Sequence, residues 1–256
     1  LHDALPILMQ FIARLRKLSG GKPIGFKLCI GQPWEFFGIA KAMLETGIYP
    51  DFIVVDGSEG GTGAAPVEFT DHVGMPLREG LRLVHNTLVG IGKRKEIAVG
   101  ASGKIISAYD IIRAIALGAD WCNSARGFMF ALGCIQSRSC HTDKCPTGVA
   151  TQDPLRQRAL MVPDKAERVH AFHRNTMHSL AELIGAAGLT HPREVTSDYL
   201  MCRDASGKAM PFFSKLPIVP VGALLQGVEP HSGLPQEFEL YWNRALTNKF
   251  GLAPLI

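Results

Sequence analysis

Residues 97–125 read IAVGASGKIISAYDIIRAIALGADWCNSA, and this stretch contains the repeating unit of the chain. An apolar run that suits a strand, 97–101, is followed by a short loop and by a segment with helical periodicity, 107–117. Ser107 stands at the N-cap position of that helix, and a second apolar run begins at Trp121. The order of strand, helix and strand is typical of a parallel sheet with helical connections, so we predict an α/β fold.

The same alternation occurs four times from residue 24 onward. Four strand–helix units correspond to half of an eight-stranded barrel, so we interpret the fold as the C-terminal half of a TIM (β/α)8 barrel with a cysteine-rich loop and an irregular C-terminal tail. Half a barrel has an unpaired strand edge on each side, and we therefore expect an N-terminal half upstream. The predicted strands are 24–30, 52–55, 97–101 and 121–125, and the predicted helices are 9–18, 34–46, 76–92, 107–117 and 164–188.

The ends of the chain suggest three divisions. Residues 1–7, LHDALPI, resemble the in-frame translation of a sequencing-library adapter, and we exclude them from reasoning about the fold. A genuine N-terminus with this sequence is the alternative. We assign residues 8–160 to the barrel half with its cysteine loop and residues 161–256 to a helical extension and tail.

Composition narrows the class of protein. With 256 residues and 46% hydrophobic content, the chain can bury a core and is expected to be globular and soluble. The net charge of +4 is spread out, and the densest basic cluster, 93–95, is too small for a nucleic-acid surface. Three of the six cysteines are grouped and three are scattered, which favours a reducing cytoplasm over a disulfide framework. No stretch reaches the roughly 18–20 apolar residues of a membrane span, so a membrane tether would have to lie upstream.

The grouped cysteines form a candidate metal site. They lie within residues 133–146, GCIQSRSCHTDKCP, with the spacing Cys134-x5-Cys140-x4-Cys145. Thiolates bind iron–sulfur clusters and zinc, ferredoxin ligand loops often end in Cys-Pro, and three ligands suit a 3Fe-4S cluster. A zinc site completed by His141 is an alternative, although adjacent side chains leave the backbone in different directions. Ordinary part-buried cysteines are the third interpretation.

The loops after the third and fourth predicted strands, 102–104 and 125–127, suit an anion. Glycine lets backbone amides approach a phosphate closely, and arginine can donate two hydrogen bonds to phosphate oxygens. In a (β/α)8 barrel, the loops after the last two strands often bind a phosphate. Each loop alone also fits an ordinary strand–helix turn. The candidate anion-binding residues are Ser102, Gly103, Lys104, Ala125, Arg126 and Gly127.

Two further features precede these loops. Residues 56–66, DGSEGGTGAAP, are rich in glycine, but Pro66 comes too early for a dinucleotide-binding helix, and a solvated loop is the alternative. Lys27 lies inside the first predicted strand, where a charge is out of place unless it has a partner. A lysine that extends its ammonium to solvent at a strand end is the other interpretation.

These motifs together resemble the FMN-binding synthase domain of glutamate synthase over about residues 20–194. The glycine-rich loop resembles the family's acidic-Gly-Gly-Thr-Gly-Ala-Ser-Pro loop over the flavin, and Lys27 matches a family lysine beside the flavin. The resemblance implies that Lys27 stabilises the reduced flavin and that the three grouped cysteines hold a 3Fe-4S cluster. It also implies catalytic roles for Lys27 and Glu59. The FMN-binding residues that it implies, besides the anion loops, are Lys27, Gly60, Gly61, Thr62 and Gly63.

The resemblance implies an oxidoreductase acting on CH-NH2 donors. It would reduce 2-iminoglutarate, formed from 2-oxoglutarate and free or glutamine-derived ammonia, to L-glutamate. Electrons would come from a donor protein or an NAD(P)H-linked subunit. Residues 29–33 depart from the family pattern, so selectivity for 2-oxoglutarate is not carried over there.

The sequences Ser-Gly-Lys-Ile at 102–105 and Ala-Arg-Gly-Phe-Met-Phe at 125–130 resemble the shorter, stand-alone synthase-like proteins of bacteria. Two other functions stay open: a flavoprotein of the same fold with a different substrate, and a non-enzymatic zinc module. We expect His72, His85 and His141 to be structural, since no base–nucleophile pairing is visible.

Overall fold

The computed structural model describes residues 4–60, 65–66, 68–212 and 218–254. Its main sheet contains β1 (Gly25–Leu28), β2 (Phe52–Asp56), β3 (Ala98–Ser102) and β4 (Trp121–Asn123). The helices α1 (Ala4–Leu18), α2 (Pro33–Thr46), α3 (Leu77–Gly90) and α4 (Ala108–Ala116) alternate with these strands. The later elements are α5 (Arg126–Leu132), α6 (Pro154–Gln157), α7 (Val162–Ala186), β5 (Met201–Arg203), β6 (Ala209–Pro211) and α8 (Gln236–Tyr241).

The main sheet is parallel, with the order β1-β2-β3-β4. This arrangement confirms the predicted α/β fold, and every predicted strand and connecting helix lies within two residues of its expected ends. Among the described residues, β1 and β4 each pair on one side only. The half-barrel interpretation therefore stays a prediction.

Local sequence explains why these elements form. Ile53 and Val55 on β2 are fully buried, as expected for β-branched residues in a covered parallel strand. Ser107 is confirmed as the N-cap of α4, because its hydroxyl accepts a hydrogen bond from the Asp110 backbone and the Asp110 carboxylate accepts one from the Ser107 backbone. Gly118, with φ of 108°, follows α4, and a Cβ at this position would collide with the ring of His85.

Three elements differ from the predictions. The helices α5 and α6 were not predicted, because each is short and lies beside a loop with no clear periodicity. Helix α1 begins at Ala4, and Leu5 is buried with 1% exposure, so the helix includes residues set aside as adapter-like. Nothing in the fold tests the origin of that segment, and the adapter interpretation stays a prediction.

The C-terminal tail is more ordered than predicted. It contains the β5–β6 hairpin and α8, and its aromatic side chains join the main core. The Phe238 and Trp242 rings lie 4.9 Å and 5.5 Å from the ring of Phe37 on α2. Single aromatic anchors between Pro- and Gly-rich turns carry no periodic signal, which explains why the sequence pattern missed them. No helix in the described part of the chain is long and apolar enough to span a membrane.

Candidate functional site

The loops after β2, β3 and β4 line one cleft of about 450 Å³. They meet there because the carboxyl ends of parallel strands lie at the same edge of a sheet. The cysteine loop also lines the cleft, and His141 is among its lining residues. The predicted site residues that line this cleft are Gly60, Lys104, Arg126, Cys134, Cys140 and Cys145.

An aspartate that the sequence analysis did not select joins two of these loops. The Asp71 Oδ1 atom accepts hydrogen bonds from the Gly60 backbone N–H at 2.7 Å and from Lys104 Nζ at 2.8 Å. The hydrogen bond from Lys104 and then the one from Gly60 lower the pKa of Asp71. Asp71 is 33 positions away from Lys104, so no sequence spacing pointed to the pair.

The Glu59 carboxylate caps a helix instead of facing the cleft. Both of its oxygens lie 2.9 Å from the backbone nitrogen of Leu77, the first residue of α3. The N-cap residue of α3 is Pro76, which has no side-chain acceptor, and a carboxylate is favourable at a helix N-terminus. A catalytic role for Glu59 stays a prediction.

Two glycines of the predicted anion loops are explained by close packing. Gly103 has φ of 144°, and a Cβ there would lie 3.3 Å from the Gly57 nitrogen. A Cβ on Gly127 would lie 2.7 Å from Cζ of Phe172 on α7. These glycines therefore allow close contacts within the protein, and neither lines the cleft.

The two remaining members of these loops also make backbone contacts. The Ser102 carbonyl accepts a hydrogen bond from the Gly57 N–H at 2.8 Å. Ala125 precedes α5, and its carbonyl accepts from the Met129 N–H at 2.9 Å. Gly61, Thr62 and Gly63 lie outside the described residues.

Lys27 lies apart from the first cleft. Its Nζ atom is 2.7 Å from Asp56 Oδ2 on the neighbouring strand, and the Lys27 side chain is 60% exposed. Lys27 lines a second cleft of about 360 Å³, together with Cys29 and Phe250. The structure thus gives Lys27 a partner on the sheet and does not bring it together with Lys104 and Arg126.

Cys145 of the cysteine loop differs electrostatically from the scattered Cys122. Burial opposes ionisation of Cys145, but hydrogen bonds from the Thr147 hydroxyl and from the backbone N–H groups of Ala150, Thr147 and Val149 outweigh it and lower the pKa of Cys145 to about 7. Burial and then the charge of Asp110 raise the pKa of Cys122 to about 12. The cysteine loop therefore favours a thiolate at Cys145, whereas β4 favours a neutral thiol at Cys122.

The cysteine loop owes its shape to local hydrogen bonds. The Asp143 Oδ1 atom accepts from the Gln152 N–H at 2.5 Å and from the Thr151 hydroxyl at 2.9 Å. Gln136 and Arg138 adopt φ values of 56° and 55°, a region that is costly for residues other than glycine. Within the described residues, no three His, Cys, Asp or Glu side chains are arranged to hold one metal ion. The three thiols share a cleft, and the metal centre stays a prediction.

Fold and site together define an α/β protein whose strand-end loops and cysteine loop share one cleft. Residues 2–190 match the family model described as the conserved region in glutamate synthase, so the chain belongs to the glutamate synthase family. It is 42% identical, over 79% of its length, to the glutamate synthase large subunit-like protein YerD of Bacillus subtilis. It is also 42% identical, over 73% of its length, to the archaeal glutamate synthase [NADPH] of Methanocaldococcus jannaschii.

The chain spans 38% and 37% of the lengths of these two relatives. Among solved structures, a flavocytochrome b2 mutant with pyruvate bound shows a TM-score of 0.44 and 16% identity, over 88% of this chain and 45% of that chain. A likeness of that strength supports no conclusion about fold or function.

Proposed function

We propose that this chain is part of an FMN- and iron–sulfur-dependent oxidoreductase of the glutamate synthase type. In the proposed reaction, 2-oxoglutarate and ammonia condense to 2-iminoglutarate and water, and the imine takes up two electrons and two protons to give L-glutamate. The observation that carries the proposal is the single cleft that joins the loops after β2, β3 and β4 to the cysteine loop, in a chain of this family.

The residues of the cleft fit FMN. A volume of about 450 Å³ lies in the range of small-molecule sites. Lys104 and Arg126 on one wall are suitable partners for a phosphate, and Met129, Phe130 and Ile135 give the same cleft apolar surface. Bound flavin supplies hydride chemistry, and the protein contributes position and charge. Lys27 is proposed to add a fixed positive charge on the sheet.

The three thiols are proposed to hold a 3Fe-4S cluster. Their support is the shared cleft wall and the cluster of N–H donors around Cys145. Their arrangement in the structure is not that of ligands around one ion, so we derive no reaction step from the cluster. Replacing any one of Cys134, Cys140 or Cys145 with Ser should remove iron and acid-labile sulfide, with Cys202→Ser as the matched control. Stoichiometric zinc without iron in anaerobically purified protein would contradict the cluster.

The surface beside the cysteine loop suits an acidic donor protein. Among the described residues, the side chains of Lys144 and Arg158 form no ion pair. Helix α6 lies against the loop, because the Arg156 guanidinium donates to the Lys144 carbonyl at 3.4 Å. Leu155 on α6 is 70% exposed, so this helix also presents an apolar side chain at its surface. Such a surface favours a negatively charged protein as the source of electrons.

One set of measurements tests the function. The protein, expressed from its complete reading frame, should show flavin and iron–sulfur absorption and should form L-glutamate from 2-oxoglutarate and ammonium with reduced methyl viologen. Activity that is absent with 2-oxoglutarate but present with another 2-oxo acid would assign a different substrate to the same fold. A colourless zinc protein would favour the non-enzymatic module.

The donor surface has its own test. Reversing Lys144 and Arg158, which do not line the flavin cleft, to Glu should raise the KM for a reduced acidic ferredoxin about tenfold and leave the methyl viologen rate unchanged. Lys208→Glu, on the β5–β6 hairpin, is the control. An unchanged KM would contradict the donor surface while leaving the proposed reaction intact.

A further inference from the structure

Asp71 connects two segments that the sequence analysis assigned to ligand binding. One oxygen, Oδ1, accepts from Gly60 in the glycine-rich loop and from Lys104 in the loop after β3. All three residues line the cleft of about 450 Å³. The backbone of Asp71 is fixed as well, because its N–H donates to the Ser58 carbonyl at 3.2 Å.

These contacts are those that a phosphate oxygen makes. An anion at this point needs a backbone N–H beside a glycine and a cationic side chain, and Asp71 uses both. Gly60 has φ of 98°, and a Cβ there would lie 3.3 Å from Cε of Lys104, so the glycine lets the lysine approach the loop.

The Lys104–Asp71 pair is exposed enough for a bound phosphate to replace the Asp71 carboxylate. The Lys104 and Asp71 side chains are 47% and 40% exposed, and ion pairs at such positions contribute little to stability. A phosphate dianion offers more charge and more acceptor oxygens than one carboxylate. Arg126 and Arg138 line the same cleft and can attract that dianion.

We propose that Asp71 is an internal counter-anion, which holds Gly60 and Lys104 and yields both donors to the phosphate of a bound ligand. Asp71 is thus a positioning residue that sets how strongly the cleft selects a phosphorylated flavin over an unphosphorylated one. The inference rests on the proposed function, because it takes the ligand to be FMN.

Binding of FMN and of riboflavin tests the exchange. Both flavins are titrated against flavin-depleted full-length protein, and binding is followed by flavin fluorescence at constant ionic strength. Asp71→Asn keeps an acceptor for Gly60 but removes the competing charge, so FMN should bind roughly fivefold to tenfold more tightly, with riboflavin unchanged. Lys104→Met should weaken FMN alone. In the Lys104→Met background, Asp71→Asn should give a smaller gain, because only the repulsion between the Asp71 carboxylate and the phosphate is then removed, and Lys95→Met is the control.

Other results would overturn the inference. Equal weakening of FMN and riboflavin by Asp71→Asn would make Asp71 a structural clamp only, and an unchanged FMN affinity would show that it does not compete with phosphate. Tight FMN binding in the wild type together with either result leaves the proposed function standing. A wild-type protein that binds neither flavin would instead contradict the FMN assignment itself.

Discussion

The two ends of β3 carry ion pairs of similar length but different surroundings. Beyond the carboxyl end, Lys104 and Asp71 lie 2.8 Å apart and are 47% and 40% exposed. Near the amino end, Arg94 and Asp120 lie 2.9 Å apart and are 17% and 31% exposed. The Arg94 pair is less exposed and has many more hydrogen-bond partners, so the two pairs differ in role although their distances are similar.

The Arg94 guanidinium uses its donors at several points. It donates to His85 Nδ1 at 3.1 Å, to the Ile97 carbonyl at 3.2 Å and to the Gly118 carbonyl at 2.7 Å. The Asp120 carboxylate also accepts from the Val99 N–H at 2.7 Å. This amino-terminal network therefore ties α3, β3 and β4 together, whereas the Lys104 pair joins only two loops at the cleft. Open parallel α/β sheets bind ligands at the carboxyl ends of their strands, so the Lys104 pair lies where a functional role is expected and the Arg94 network lies where a stabilising role is expected.

The largest expected effect is the loss of the Arg94 network. Arg94→Met keeps the apolar stem but leaves Asp120 and two carbonyls without their cationic donor, so the free energy of unfolding should fall by about 3 to 4 kcal/mol. Denaturant unfolding of the full-length protein measures it. Lys104→Met is the matched control and should leave the unfolding midpoint unchanged. Equal destabilisation by both variants would remove the distinction between the two ends of β3.

The second prediction concerns how stability depends on pH through His85, which contacts Arg94 near the amino end of β3. Burial, followed by the charges of Arg94 and Arg82, lowers the pKa of His85 from 6.5 to about 4. Between these values the unfolded chain binds a proton that the folded chain does not, so stability falls as the pH decreases from about 6.5 to about 4. The loss attributable to His85 is roughly 3 kcal/mol.

Unfolding free energies at several pH values isolate the His85 contribution. His85→Gln keeps a hydrogen-bond acceptor for Arg94 and removes the titration, so its stability should depend less on pH across this window. A variant with the same slope as the wild type would show that other groups cause the acid sensitivity.

The third prediction concerns packing at the carboxyl ends of the strands. A Cβ on Gly127 would lie 2.7 Å from Phe172, so Gly127→Ala must displace α7 or α5 and should cost about 1 to 3 kcal/mol. Gly185→Ala is the control, since nothing lies within 4 Å of its added Cβ and helix propensity favours alanine. Equal stability of Gly127→Ala and Gly185→Ala would show that the contact with Phe172 does not require glycine at position 127.

The strands and helices were predictable because their signals are local. Short apolar runs, the cap at Ser107 and the stop at Gly118 each depend on neighbouring residues. The contribution of the tail to the core was not predictable, because the contact of Phe238 with Phe37 joins residues 201 positions apart without any periodic pattern. Helix α5 was missed because seven residues give too short a pattern.

The sequence predicts which loops form the site, but it predicts less well which atoms of those loops bond to each other. Parallel strands place Lys104 and Arg126 in one cleft, as their positions after β3 and β4 indicate. The sequence did not reveal that Glu59 caps α3 or that Asp71 binds Lys104, because each contact depends on how the loops fold back. Spacing alone therefore identifies candidates, and their hydrogen bonds distinguish ligand groups from structural ones.

The smallest expected effect on stability is at Lys27, where the ion pair with Asp56 is exposed on β1. Lys27→Met should change the free energy of unfolding by less than about 1 kcal/mol, because solvent screens the pair. If the ammonium supports the reduced flavin, the same variant should lower the FMN reduction potential by roughly 30 mV while leaving flavin bound. Spectroelectrochemical titration measures this shift, and Lys22→Met is the control. An unchanged potential in a folded, flavin-loaded variant would show that Lys27 extends to solvent at a strand end, and only the cleft around Lys104 would then remain as the flavin site.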